Sequence, residues 1–498
     1  MTGFDDLETR LLIDGEWRRS LSGERFTTYN PATGDPVAEV ERADRRDARA
    51  AVSSARHALE SGPWATMTGA ERGRILRRLA DLLRAETDAL VGLEALDGGK
   101  PVRATRRQDL PAAIDCLEYY AGWADKIDGV VVPARRDALT FTTRGPVGVV
   151  AAIVPWNFPL MNAVWKIAPA LACGCTVVLK PAELTPLSAL RLGQLALDAG
   201  LPPGVLNVLP GFGKEAGAAL VEHPGVNKIS FTGSPGVGRW IMGAASANLT
   251  RVGLELGGKS PNVVFDDADL DAAVRQSAAG VFFNAGQVCS AGTRLYVEDG
   301  VHDEFVERLA ARAGALVVGD PLDPKTTLGP LISAGQLDKV LGYVETGRRE
   351  GAALVAGGGR VGNRGHFLEP TVFAGAGNDM RFAREEIFGP VAAVIRFKGE
   401  DEAVRLANDS PYSLAAALWS RDLGRAHHVA GRLRAGTVWV NTYGHTDARL
   451  PWGGHGGDSG LGRDLGEAAL ENYTETKTVW VSLARPRAEA PRPEALAA

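Results

Sequence analysis

Short apolar runs alternate with amphipathic helical stretches along most of this chain. From residue 147 the runs recur at regular intervals: 147–154, Thr176–Lys180, 205–209, 228–231 and 252–256. They are mostly apolar on both faces, as strands buried on both sides of a sheet must be. Between them lie segments with apolar positions three and four residues apart, at 162–172, 188–199, 215–222 and 237–245. That periodicity predicts helices, and strands alternating with helices predict a parallel sheet. A second series of the same kind spans 258–457, with strands expected at 262–265, 294–297, 392–397, Ala415–Trp419 and 437–441. Helices are expected there at 301–315 and 334–350.

The first part of the chain is patterned differently. Residues 11–41 read as short strands and turns, broken at Asn30-Pro31 and Gly34-Asp35-Pro36. Asp44 is placed to cap a helix running through His57. A second helix is expected over 71–96, with Ile75, Leu76, Leu79, Leu82 and Leu83 on one face, and a third over 110–126. Residues 129–145 have strand composition with a break at Pro133. The segment 473–481 alternates like an exposed or intersubunit strand. The reading is α/β: two parallel-sheet domains and a small β element.

Composition narrows the class. The chain has 498 residues, 45% hydrophobic and 23% charged, with net charge −5. This length holds more than one domain, and nothing basic points to nucleic acid or an anionic membrane. Four cysteines are too few for a disulfide framework. Cys173-Gly-Cys175 has no His or Cys neighbours that would complete a zinc site, so no metal is expected. Residues 1–10 are polar and acidic, without a signal-peptide core. No apolar run approaches the ~18 residues a membrane span needs. A reducing cytoplasmic setting is expected, and the tail at 485–498 reads as disordered.

Ligands of parallel α/β sheets bind beyond the carboxyl ends of the strands. Six segments there and beyond carry chemistry. Pro155-Trp156-Asn157-Phe158-Pro159 offers an amide that can donate to an oxyanion. Lys180-Pro181-Ala182-Glu183 offers a lysine and a carboxylate for ribose hydroxyls. Gly233-Ser234-Pro235-Gly236-Val237-Gly238 suits pyrophosphate at a helix start, although Gly211-Phe212-Gly213 competes on spacing alone. In Leu254-Glu255-Leu256-Gly257-Gly258 a carboxylate between leucines would have a raised pKa, fit for general-base work. Glu385-Glu386-Ile387-Phe388 joins a carboxylate to an aromatic ring. The stretch 282–294 centres on Cys289 among the small residues Ala285, Gly286, Ser290, Ala291 and Gly292. Its thiol reads equally as buried packing or as a nucleophile.

Together these motifs resemble the aldehyde dehydrogenase superfamily. The resemblance runs from Asn30-Pro31-Ala32-Thr33-Gly34 to Tyr473, and adds Phe231-Thr232-Gly233-Ser234 and Gly286-Gln287-Val288-Cys289 in family order. Asn441-Thr442-Tyr443 and Leu450-Pro451-Trp452-Gly453-Gly454 resemble the hydrolytic, betaine-aldehyde- or retinal-dehydrogenase-like subgroups. The resemblance implies a Rossmann-like NAD-binding domain (1–127 and 147–257), a catalytic domain (258–460) and an oligomerisation element (128–146 and 472–484). It implies oxidation of a small-molecule aldehyde to its acid, with NAD reduction, by a homodimer or homotetramer.

It also implies roles. Cys289 is the nucleophile, Asn157 and the Cys289 N–H form the oxyanion site, and Glu255 activates the thiol or water. Lys166 is a structural or proton-relay lysine. Pro155, Trp156, Lys180, Glu183, Gly233, Ser234, Val237, Leu256, Glu386 and Phe388 hold NAD, and Glu183 would repel the extra phosphate of NADP. Phe158, Asn162, Trp165, Val288, Thr446 and Trp452 line the aldehyde tunnel. Thr446 and Asn162 stand where many relatives carry bulkier apolar groups, which makes the tunnel wider or more polar. One residue is extra in His455-Gly456-Gly457-Asp458, expected near the substrate entrance and subunit contact. Asp109, at a helix start expected near the tunnel mouth, reads as a solvated carboxylate or as one that attracts a cationic aldehyde, while Trp452 would accept a cationic, aromatic or aliphatic one. A CoA-acylating enzyme, a phosphoglyceraldehyde-oxidising enzyme and a non-catalytic homologue are the alternatives. The presence of Glu255, the lack of a basic tunnel cluster and the intact Cys289, Glu255 and Asn157 set argue against them in turn.

Overall fold

A computed structural model describes residues 7–484; the expected disordered tail at 485–498 lies outside them. The first sheet has eight strands. Its parallel centre runs, in spatial order, Arg251–Glu255, Lys228–Thr232, Val149–Ile153, Thr176–Lys180 and Leu206–Val208. These are the five expected strands. Leu11–Ile13 and Glu16–Arg18 extend one edge antiparallel. Gly460–Leu461 comes back from the far end of the chain to pair antiparallel with Arg251–Glu255 at the other edge.

The second sheet has seven strands, centred on Arg294–Glu298 and Pro261–Val264. Ala353–Ala356 and Thr371–Ala374 are strands that the apolar pattern did not signal; the first is half exposed and the second is short. Thr474–Ser482 pairs antiparallel with Ala138–Pro146 as a separate two-stranded ribbon.

Local chemistry sets the helix boundaries. Asp44 caps Arg45–Glu60 in a reciprocal box with Asp47. The single helix expected over 71–96 is two, Gly69–Ala85 and Thr87–Gly98, broken at Glu86. Periodicity alone cannot see that break, because apolar spacing continues through it. Pro159–Ala172 is buried along its whole length, its only charged side chain being Lys166. A helix apolar on every face belongs inside the molecule. It runs between the first sheet and Leu110–Trp123, and it begins directly after Asn157 and Phe158.

Candidate active site

Four neighbouring strands of the first sheet end in line. In register, Glu255 faces Thr232, Phe231 faces Ile153, and Ile153 faces Lys180. The loops leaving these ends carry Glu255-Leu256, Gly233-Ser234, Trp156-Asn157 and Lys180 to Glu183. Ser234 caps Pro235–Ala245, its Oγ accepting from the Val237 N–H at 3.5 Å. That helix start is the anion-binding end.

Cys289 comes from the other sheet's domain, after Leu270–Phe282. The turn between them is strained: Asn284, Ala285 and Gly286 have φ of 49°, 54° and 70°. Left-handed backbone costs an L-residue ~1–2 kcal/mol, so surrounding bonds must impose it. Gln287 Nε2 donates to Asn284 O at 3.0 Å, and Gln287 Oε1 accepts from Ile332 N at 2.9 Å. Asn284 Nδ2 donates to Asn157 O at 3.0 Å, and Asn157 Nδ2 donates to Gln287 O at 2.9 Å. The oxyanion candidate and the Cys289 loop are thereby laced together. Gly258 completes the seam, since a Cβ there would lie 2.0 Å from the Cys289 carbonyl oxygen.

A cavity of about 370 Å³ gathers Cys289, Glu255 and Asn157. Burial, then Glu386 and Glu255, push the Cys289 thiol up to about 12, although N–H groups of Ser290 and Cys289 pull the other way. The resting sulfur is therefore a thiol that needs a base. Glu255 is buried, and its Oε2 has no partner among the described residues. Burial and then Asp464 raise its carboxyl well above the usual range, against Lys166 and Arg463. A raised carboxyl with a free oxygen, lining the same cavity as a thiol, can take the thiol's proton or a water's.

Lys166 does not line this cavity. It is fully buried, with Nζ 3.0 Å from Asp464 Oδ2 and 3.3 Å from Ser230 Oγ. It holds Asp464, which does line the cavity beside Glu255.

At one end of the cavity stand Pro155, Trp156, Gly233, Ser234, Leu256, Glu386 and Phe388. Glu386 Oε1 accepts from Gly258 N at 3.0 Å. A Cβ on Gly257 would come within 2.6 Å of Glu386 Oε2, so glycine lets this carboxylate lie against the strand end. Phe388 meets Trp156 edge to face at 5.3 Å. Lys180, Glu183 and Val237 lie outside the cavity lining. Lys180 is buried and its Nζ reaches Glu183 Oε2 at 3.2 Å. Gly211 is also outside, packed against Ala43.

At the other end Phe158, Asn162, Trp165, Val288, Thr446 and Trp452 form walls. Phe158 stacks on Phe283 at 6.2 Å, and Trp165 meets Trp452 at 6.1 Å. Asn162 spends its amide on Phe158 O at 3.2 Å, so that donor does not add the expected polarity to the tunnel.

Two expectations are corrected. Asp109 is neither solvated nor at the mouth: it is buried and ion-paired with Lys100, whose Nζ sits 3.6 Å from the Phe158 ring centroid. The loop 455–458 packs beside the strand of Glu255. Asp458 pairs with Arg239 on the Ser234-capped helix, and Ser459 O accepts from Leu256 N at 3.3 Å. The extra residue thus sits on the Ser234 side, not at the aldehyde mouth. Sequence reading missed Asp464, Gln336 and Lys339, which line the cavity and leave no local signal; Phe283 lies in the 282–294 stretch and Tyr443 in Asn441-Thr442-Tyr443, but neither was given a role, and the Tyr443 hydroxyl donates to Ser290 O at 2.6 Å.

A family model described as the aldehyde dehydrogenase family matches residues 17–479. The chain belongs to the aldehyde dehydrogenase family. Within the family it is 51% identical to retinal dehydrogenase 2 of Homo sapiens over 477 residues, 95% of this chain and 92% of that one. The mitochondrial aldehyde dehydrogenase of Homo sapiens is 49% identical over 476 residues, again 95% and 92%. The NAD+ complex of an aldehyde dehydrogenase from Bacillus cereus matches with a TM-score of 0.95 and 46% identity, covering 97% and 98% of the two chains. Betaine aldehyde dehydrogenase from Staphylococcus aureus with NAD+ matches with a TM-score of 0.95, 40% identity and 97% coverage of each.

Asn157→Ala is expected to lower kcat by about a hundred- to a thousandfold, the usual cost of one oxyanion donor. Steady-state kinetics check it; a loss well under tenfold would leave Asn157 only its bond to Gln287.

Proposed function

We propose that this cavity oxidises an aldehyde to its carboxylic acid with NAD as acceptor, through covalent catalysis on Cys289. The observation that carries it is the convergence of Cys289, Asn157 and Glu255 between two domains, with Ser234, Glu386 and Phe388 at one end and aromatic walls at the other. The chain is an aldehyde-oxidising enzyme of the hydrolytic type, and NAD is its cofactor.

The Cys289 sulfur bonds to the aldehyde carbon as its proton passes to Glu255. Asn157 Nδ2 has two N–H groups; one is held by Gln287 O, and the other stabilises the alkoxide together with the Cys289 N–H. Ser234, Glu386, Phe388 and the Lys180 and Glu183 pair would hold NAD, which would supply the hydride acceptor. Those residues fit it: a helix N-terminus for phosphate, and carboxylates beside glycine and an aromatic ring for ribose and nicotinamide. Loss of hydride from the bound carbon leaves a thioester on Cys289, and Glu255 passes the thiol's proton out to solvent. Glu255 then takes a proton from the water that cleaves the thioester and hands it to the departing sulfur, which releases the acid and restores the thiol.

For substrate we favour an aromatic or aliphatic aldehyde over a cationic one. Asp109 is sequestered by Lys100, and the walls are Phe158, Phe283, Trp165 and Trp452. A panel of betaine aldehyde, aminobutanal, phenylacetaldehyde and hexanal tests this by NADH formation. Preference for the two cations would reverse it.

Glu183 sits 3.2 Å from buried Lys180 at the strand end, which supports NAD over NADP. Glu183→Ser is expected to raise kcat/KM for NADP about tenfold, by removing a like charge. Kinetics with both cofactors check it.

We further propose a homodimer or homotetramer built through the 128–146 and 472–484 element. Its ribbon leaves Leu139, Trp480 and Val481 exposed. Sedimentation as a monomer would count against this. Four free cysteines support a reducing compartment such as the cytoplasm.

A further inference from the structure

We propose that the outer mouth of the aldehyde tunnel recognises an anionic group, a carboxylate, on the far end of the substrate. This rests on the aldehyde-oxidising reading above and names the substrate class within it. The preferred substrate then has an aldehyde at one end, an apolar body and an acid at the other.

Beyond Trp165, Phe283 and Thr446 the tunnel widens into a second cavity of about 890 Å³, sharing those residues with the first. Its apolar lining includes Phe282 and Leu316, and Arg103, Arg107, Arg275 and Arg312 stand on it, a basic cluster that the sequence reading did not expect because its members lie on helices outside the tunnel segments. None of these four has an ion-pair or side-chain hydrogen-bond partner among the described residues. Their neighbours do: Arg106 pairs with Asp88, Arg308 with Asp271 and Glu304, and Arg449 with Asp447.

The fold sets the free arginines side by side. Leu270–Phe282 and His302–Gly314 follow the adjacent parallel strands Pro261–Val264 and Arg294–Glu298, so the two helices run in the same direction. The Asp271–Arg308 ion pair fixes their alignment at one level. Four residues further along each helix, one turn on, come Arg275 and Arg312, a like-charged level with no acid between. Arg103 and Arg107 are likewise four apart on one helical segment.

The acids of the mouth do not offset this. Glu118 is held by Arg84 and Asp447 by Arg449. Only Asp115 remains, its carboxyl raised by burial and then by Glu118 and Asp447. The local excess of guanidinium stands against a chain of net charge −5. Unpaired guanidinium forks match a carboxylate in geometry as well as charge. A carboxylate seated there relieves the repulsion between paired cations.

The test compares ω-oxodecanoate with its methyl ester, which keeps the chain and removes the charge. NADH formation at low salt is expected to give the acid a kcat/KM about tenfold above the ester, since each exposed charge pair contributes up to about fivefold. Added salt shrinks that advantage, as the screening length falls to ~10 Å at 0.1 M. Replacing both Arg275→Gln and Arg312→Gln is expected to remove most of the acid's advantage while the ester's kcat/KM changes far less. Arg275→Lys with Arg312→Lys retains most of it. Equal turnover of acid and ester, or equal loss of both in the glutamine variant, overturns the proposal. NADH from hexanal but from neither long substrate also overturns it. No NADH from any aldehyde, hexanal included, would instead sink the underlying reading.

Discussion

Cys289→Ala forms NADH from aldehyde at about a hundred-thousandth of the wild-type rate or less, the scale of loss when a covalent nucleophile is deleted. The other three cysteines cannot take its place. Cys116, Cys173 and Cys175 are 0%, 3% and 0% exposed and lie in the core behind the first sheet. Cys289 alone is partly open and borders the cavity. Alanine changes little else there: Gly258 still abuts the residue 289 carbonyl, and Gln287 still holds the turn. NAD binding, read by fluorescence quenching, is therefore expected to survive the substitution. Residual NADH well above that level would move the nucleophile elsewhere. Because the resting thiol is pushed up to about 12, alkylating reagents label it slowly near neutral pH and faster as the pH rises.

The strand ends that build the site were legible because each closes a short apolar run. Lys180 terminates its strand where the pattern placed it, and Glu255 ends its strand one residue before the expected end at 256. The cysteine loop was legible by its small residues, but its strain was not: Ala285 has no sequence mark of a left-handed backbone. What stayed hidden were partners distant in the chain. Asp464 lies 209 positions from Glu255 by numbering, and nothing local to either tells of their meeting. The two-residue strand Gly460–Leu461 is too short to leave a period. Asp109 was misplaced for the same reason. A charge at a helix start reads as solvated until its partner, Lys100, is known to be buried with it. The loop 455–458 follows closely on Trp452, a wall of the tunnel, yet by Asp458 the chain has turned to Arg239 on the Ser234 side.

Glu255→Gln is expected to lower kcat by about a thousandfold, within the range that one general base contributes. Glutamine keeps the volume between Leu254 and Leu256 and removes only the basic oxygen. The effect separates by step and by pH. Glu255 is raised well above the ordinary carboxylate range by burial and by Asp464, so at low pH it is protonated and idle. Raising the pH ionises it, and the rate rises with pH as the base form accumulates. The sign is fixed: an acid whose pKa is raised delays the rising limb toward alkali and does not create a falling one. In the glutamine variant that limb is lost, and the remaining rise follows thiol ionisation and hydroxide alone. Rapid mixing tests the division of labour. If Glu255 serves thioester hydrolysis, the variant shows a burst of NADH close to one per site and then a slow steady rate. If it serves thiol activation first, the burst itself is slow. A flat pH profile in the wild type, or an unchanged one in the variant, would remove Glu255 from the chemistry and leave it as a strand-end charge facing Asp464.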